Sequence, residues 1–237
     1  PRIISVLDNH KELTLIIPES YLKKEFISES LNMFPDLKHE VIPDGLHMKI
    51  PKLVIPELKP YTYFFDPNTM KKYREWVWNF VEAMDFQIET FEKIYVSRKH
   101  AKNRKLVNEE ETLNEFYKFG FKEICFEDYT FFEQIFLMKN CKVLAGVHGA
   151  GFANISFMPK DSILFEIIKE YSSYKEERPS YWRLCSTIDI KYYIQYCKPV
   201  EYGNYDLWIG VDLICNTLDL QTNLNLIEDN KGKYNIL

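Results

Sequence analysis

The sequence predicts an α/β protein built on parallel sheet, and three observations point there. Short apolar runs alternate with longer stretches whose apolar residues recur at helical spacing. The connections between them are short, which suits right-handed strand–helix–strand crossovers. Of the 237 residues, 46% are apolar, enough to bury a sizeable core.

Taken in order, residues 13–17 read as a strand that Pro18 ends. Residues 21–33 carry apolar side chains at 22, 26, 27, 31 and 33, close to one helical stripe. The runs 39–42 and 53–55 read as short strands in an irregular crossing region marked by Pro43, Pro51, Pro56, Pro60 and Pro67. Pro67 suits the first position of a helix capped by Asp66 and running to residue 84. A regular alternation follows: strand 93–97, helix 108–119 closed by Gly120, strand 122–126, helix 130–141 and strand 143–146. After a glycine turn come a helix, strand 163–168, helix 181–188 and strand 192–197. This repetition makes 86–237 one Rossmann-like unit. Residues 1–66 read as part of a second, smaller α/β lobe, and 67–85 as the connecting helix.

Bulk properties exclude some function classes. A net charge of −5 provides no general attraction for nucleic acid or an anionic membrane. The five cysteines (125, 141, 185, 197 and 215) are scattered without CxxC spacing, and no Cys/His pair has metal-ligand spacing. They read as buried, reduced thiols of a reducing compartment. No apolar run reaches membrane-spanning length and no signal peptide opens the chain. The chain begins at Pro1 without an initiator Met, and is read as a piece whose N-terminal lobe is truncated.

Residues 146–157, GVHGAGFANISF, put three of the eight glycines, a histidine and an asparagine at one strand-to-helix turn. Open parallel sheets bind ligands at the carboxyl ends of their strands, and this turn lies at such an end. Glycines let the backbone approach a ligand, and a following helix aims free N–H groups and partial positive charge at the same point. Two readings stand: a diphosphate cradle formed by His148, Gly149, Ala150 and Gly151, or a tight turn packed on the sheet. His148 either orients the turn or touches a phosphate or sugar. Asn154, one helical turn on, binds backbone or ligand. The turn is not GxGxxG and no Walker lysine follows it.

Arg98, Lys99, Lys102, Arg104 and Lys105 crowd the loop after another predicted strand end. Arg98 and Arg104 suit a forked grip on a diphosphate; the plain alternative is a solvated basic loop. Asn108 with Glu111, and Thr130 with Glu133, both fit helix capping boxes. Glu133 is alternatively a carboxylate for a pair of ribose hydroxyls. Glu166, ending the strand ILFEI, is a second carboxylate placed on that edge. Phe131, Phe132 and Phe136 have helical spacing and read as core.

The order of these motifs resembles glycosyltransferase family 61. It is carried by R-x5-R-x3-NE (Arg98, Arg104, Asn108, Glu109), F-x-EQI (131–135) and GVHGAGFANISFMPKDSILFEI, then SYWRL (180–184) and VDLICNTL (211–218). The resemblance covers 90–237 well and 1–89 in outline. It implies a two-lobed GT-B glycosyltransferase that takes a nucleotide-sugar, commonly a UDP-sugar, and inverts the anomeric centre without a metal or other cofactor. By that resemblance Arg98, Arg104, Asn108, the HGAG turn and Asn154 hold the donor diphosphate. Glu133 meets the ribose and Glu166 the sugar side. The acceptor is a glycan or another protein- or lipid-linked hydroxyl, and nucleic acid is not a partner. The family's aromatic-His-Trp segment, which precedes the N-terminal Leu-Pro-like stretch, is missing. Asp8 and His10 are the nearby candidates for the general base, although DNHKE also reads as an exposed turn. The alternative is a non-catalytic nucleotide-sugar or glycan binding module lacking that base. A nucleotide-dependent reductase is disfavoured by the lack of GxGxxG. The reduced cysteines favour cytoplasm, at a membrane face, or the secretory lumen if a missing segment carries an anchor.

Overall fold

The structure, a computed structural model, describes residues 2–7, 10, 12–56, 66–170, 180–200 and 211–229. The chain opens with α1 (Arg2–Leu7), β1 (Thr14–Pro18), α2 (Glu19–Leu22), α3 (Glu25–Leu31) and β2 (Lys38–Ile42). β1 and β2 pair in parallel as a two-stranded sheet. The long helix α4 (Pro67–Glu82) follows, and the Asp66 side chain caps it by accepting the Thr69 N–H at 2.7 Å, as its sequence predicts. Then come β3 (Lys93–Val96), α5 (Glu109–Lys118), β4 (Lys122–Ile124), α6 (Phe131–Asn140), β5 (Val143–Val147) and β6 (Ile163–Lys169). The described part of the chain closes with α7 (Ser180–Thr187), β7 (Lys191–Pro199), β8 (Leu213–Ile214) and α8 (Thr217–Asp229).

Six strands form one sheet in the order β4-β3-β5-β6-β7-β8. β3 to β7 run parallel, and β8 pairs antiparallel with β7 at the edge. This is a Rossmann-like α/β fold. β5 (VLAGV) is buried at every position, and β6 at all but its last. β5 reads as a continuous apolar run and β6 as one interrupted by Glu166, because helices cover both faces of the sheet. On one face Ile94, Leu144 and Leu164 join Val77 and Val81 of α4, Ile135 and Met138 of α6 and Leu184 of α7 in one core. On the other, Tyr95, Ala145, Phe165 and Ile167 pack with Phe116 of α5 and Leu220, Leu224 and Ile227 of α8. Alternate side chains of each strand therefore feed opposite cores, the two-residue period of a strand.

The N-terminal segment docks on the first face. The Phe34 and Trp76 rings stack with centroids 4.7 Å apart, and the Phe131 N–H donates to Glu29 Oε2 at 2.7 Å. α4 is bound to the segment after β5: Arg74 Nε donates to Ser156 O at 3.0 Å and Trp78 Nε1 to Phe157 O at 2.9 Å.

Three predicted elements differ. The single helix over 21–33 is two short helices, because Lys24 is extended (φ −98°, ψ 112°) and starts a second one. Residues 53–55 form no strand: Pro51 and Pro56 leave too short a run between them to pair. The helix after the glycine turn is a 3₁₀ run, Ala150–Phe157. Its residues Phe152, Ile155, Ser156 and Phe157 are buried, and Arg74 and Trp78 take the carbonyls at its carboxyl end.

Candidate active site

The chain leaves β3 to one side, toward β4, and returns to pair β5 on the other. Such a reversal opens a crevice at the carboxyl ends of the two central strands. Arg98 stands just beyond the end of β3, and His148 just beyond the end of β5. Parallel register sets Val96 against Gly146 and Gly146 against Glu166.

The turn after β5 is shaped by lack of space. Gly146 has φ +156°, and a Cβ there would lie 2.8 Å from the Val96 carbonyl oxygen. A Cβ on Gly149 would lie 2.3 Å from Arg98 Nη1, and one on Gly151 2.8 Å from the Phe126 ring. The glycine at 149 therefore lets the arginine guanidinium rest on the backbone of the turn. The amide N–H groups of Gly149, Ala150 and Gly151 make no hydrogen bond among the described residues. Tyr181, from α7, donates its hydroxyl to Gly149 O at 2.8 Å and sets its ring beside His148 and Phe152.

His148 and Glu166 meet. Nδ1 of His148 lies 2.5 Å from Glu166 Oε1, and the Tyr192 hydroxyl donates to Glu166 Oε2 at 2.5 Å. The His148 side chain is 31% exposed and that of Glu166 0%. The carboxylate expected at the crevice thus lies beneath the histidine, with both oxygens engaged. Burial, and then the Glu166 charge, push the Tyr192 phenol far above its ordinary range.

The loop after β3 is shaped by charge. Arg98 and Arg104 have no carboxylate at ion-pair distance among the described residues, and the Nε of each is buried without a hydrogen-bond partner. Arg98 donates through Nη2 to Asn103 O at 3.2 Å. Burial, and then the neighbouring Arg104 charge, lower the Arg98 guanidinium from its ordinary value. Arg104 sits in the left-handed region at φ 59°, where non-glycine residues are uncommon. Two like charges and two unmatched donors thus stand together beyond the end of β3, a donor set of the kind that matches an anion.

Asn108 does not cap α5. Its Nδ2 donates to Cys215 O at 2.9 Å and its Oδ1 accepts the Cys215 N–H at 3.0 Å, so it ties the loop to the residue that follows β8. That two-point bond replaces the predicted capping box because residues 105–107 run alongside 212–213, bringing Asn108 to the backbone of Cys215. Glu109 accepts from the Ser97 hydroxyl at 3.0 Å and supports the base of the same loop. Thr130 and Glu133 do form their capping box. Asn154 donates to Gln134 Oε1 at 2.8 Å, while Gln134 Nε2 donates to the carbonyls of Phe126 and Tyr129. Asn154 thereby joins the segment after β5 to α6. Asp8 lies outside the described residues, and His10 is exposed.

Gln134, Tyr181 and Tyr192 are the site residues that sequence reasoning missed. The first two lie inside the quoted EQI and SYWRL motifs; Tyr192 had no signal beyond its place in a strand. His100, Cys125 and Asp128 bring ligand-type atoms within 4.8 Å of one another beside the basic loop, although their spacing in sequence gave no metal pattern. Burial raises the Cys125 thiol, and the Lys99 charge opposes that rise.

No curated protein matches the chain. The sequence profile of glycosyltransferase 61 matches residues 5–165, which takes in the N-terminal segment, both arginines and the HGAG turn and stops just before Glu166. Most of the chain lies within that match, so with its motifs gathered at one sheet edge, the protein belongs to glycosyltransferase family 61.

Proposed function

We propose that the protein is an inverting, metal-independent glycosyltransferase with a nucleotide-sugar donor, a UDP-sugar, and a hydroxyl acceptor on a glycan or another carrier. The observation that carries this is the Arg98–Arg104 pair: two neighbouring guanidinium groups, each with a buried, unmatched Nε, beside free turn amides at the sheet's crevice. A leaving diphosphate develops negative charge as the anomeric bond breaks, and preoriented donors stabilise that charge most in the transition state. Arginines and amides supply here what a divalent ion supplies elsewhere. Glu133 keeps Oε1 for a ribose hydroxyl while Oε2 holds its cap, so the two roles coexist. In this reading 86–237 is the donor lobe of a GT-B pair, 1–66 the acceptor-side lobe and 67–85 the connector.

Calorimetry with UDP, GDP, CMP and ADP, with and without EDTA, tests the proposal. One nucleotide diphosphate should bind, EDTA should change nothing, and Arg104→Ala should lose about 1.5–3 kcal/mol, the scale of a hydrogen bond to a charged group. A folded sample that binds none of the four removes the donor site. Loss of binding in EDTA removes metal independence alone.

A further inference from the structure

Glu166 presents an unusual electrostatic problem. It is a carboxylate with no exposed surface, and no lysine or arginine reaches it among the described residues. A buried charge persists only when paired and fully hydrogen-bonded. Tyr192 stays a phenol and supplies a hydrogen bond but no charge. His148 is the group in contact with Glu166 that can become a cation, and Nδ1 is the nitrogen that makes the contact. Its other ring nitrogen, Nε2, has no partner among the described residues. The next residue, Gly149, lies against the Arg98 guanidinium.

Resting on the donor-site reading above, we propose that Glu166 and Tyr192 are positioning residues for His148. They hold its imidazolium with Nδ1–H on the carboxylate, leaving Nε2–H to donate to a phosphate oxygen of the nucleotide. A carboxylate behind a histidine fixes the tautomer and orientation of the ring. The chain then presents three cationic groups to the anion, and the histidine adds a directed donor to two guanidinium forks. In the transfer, the acceptor oxygen bonds the anomeric carbon while the carbon–phosphate-oxygen bond breaks and its electron pair stays on the diphosphate. The Nε2–H hydrogen bond strengthens as that oxygen gains charge. The acceptor's proton leaves to a base outside this pair.

The test combines pyrophosphate and UDP titrations with ¹⁵N NMR of histidine-labelled full chain, using His148→Gln to assign the signal. In the wild type, Nδ1 should be protonated, and Nε2 should shift when pyrophosphate is added. Glu166→Gln should weaken both ligands about tenfold, the scale of one hydrogen bond to a charged group. His148→Gln should do the same, and the double variant should lose no more than His148→Gln alone, because one residue acts through the other. Tyr192→Phe should cause a smaller loss in the same direction. Additive losses in the double variant, or wild-type binding by Glu166→Gln, overturn the proposal. If Glu166→Gln does not fold, the wild-type spectrum decides, and an unprotonated Nδ1 or an Nε2 that ignores pyrophosphate overturns it. Failure of the wild type to bind either ligand overturns the donor-site reading and this inference with it.

Discussion

The segments that follow β3 and β5 meet at one end of the sheet and are built in opposite ways. After β5, the turn is set by exclusion: Gly146, Gly149 and Gly151 each stand where a side chain would strike a neighbour. After β3, the loop is set by unmatched charge and one backbone strain, with Arg98 and Arg104 close together and Arg104 left-handed. One half is a wall closed by packing, and the other, called the clamp after the proposed role of its arginines, holds two neighbouring guanidinium groups with unmatched donors. Strain and unsatisfied donors collect where a ligand completes the structure. Substitutions in the wall that meet backbone or a packed ring should therefore cost stability first. Substitutions in the clamp should cost binding first.

The largest effect is expected at Gly146. Alanine there combines a positive φ with a contact on the Val96 carbonyl, which belongs to the backbone of the adjacent strand and cannot swing aside. Gly146→Ala should lose about 3–4 kcal/mol of unfolding free energy, a strained dihedral plus an overpacked contact. Denaturant unfolding reads it directly. A variant of ordinary stability would mean that the wall is adaptable too.

Asn108 tests where the clamp is anchored. Asn and Asp are nearly equivalent at a helix N-cap, so Asn108→Asp would be close to neutral if the residue were a cap. As a tie to the residue that follows β8 it must donate to Cys215 O, and a carboxylate cannot. The expected loss is about 2 kcal/mol, because a partly buried carbonyl loses its donor and gains a nearby negative charge.

Gly151 and Gly149 sharpen the wall further. Gly151→Ala pushes the Phe126 ring, and about 1–2 kcal/mol is the scale of such overpacking. The close contact of Gly149→Ala is with Arg98 Nη1, the far end of a long side chain. The variant should unfold like the wild type yet bind pyrophosphate more weakly, as its arginine is displaced. Equal stability losses at the two positions would deny that Arg98 rests on the turn.

What could be read in the sequence follows the same division. The central strands were legible because β5 and β6 are covered on both faces and contain little but apolar residues. The Thr130–Glu133 box was legible because all its atoms lie within one turn. Asn108 carried the same local signal, but the partner that claims it, Cys215, is remote in sequence. The direction of Glu166 depends on where β7 places Tyr192, and pairing between strands is a tertiary fact. The Arg98–Arg104 proximity was suggested by composition, whereas the missing partners of both Nε atoms required coordinates.

Arg104 offers a small stability effect and the clearest sign. Its left-handed backbone disfavours most side chains but tolerates asparagine, whose short polar group bonds locally. Its charge also opposes that of Arg98. Arg104→Asn should therefore raise unfolding free energy by about 0.5–1 kcal/mol, part of the cost of placing a long side chain in that region. The same substitution should weaken pyrophosphate binding, because one fork of the clamp is gone. Stability and affinity moving in opposite directions in one variant is what a site strained toward its ligand requires. If Arg104→Asn lowers both, the arginine is part of the scaffold, and the contrast between wall and clamp fails there.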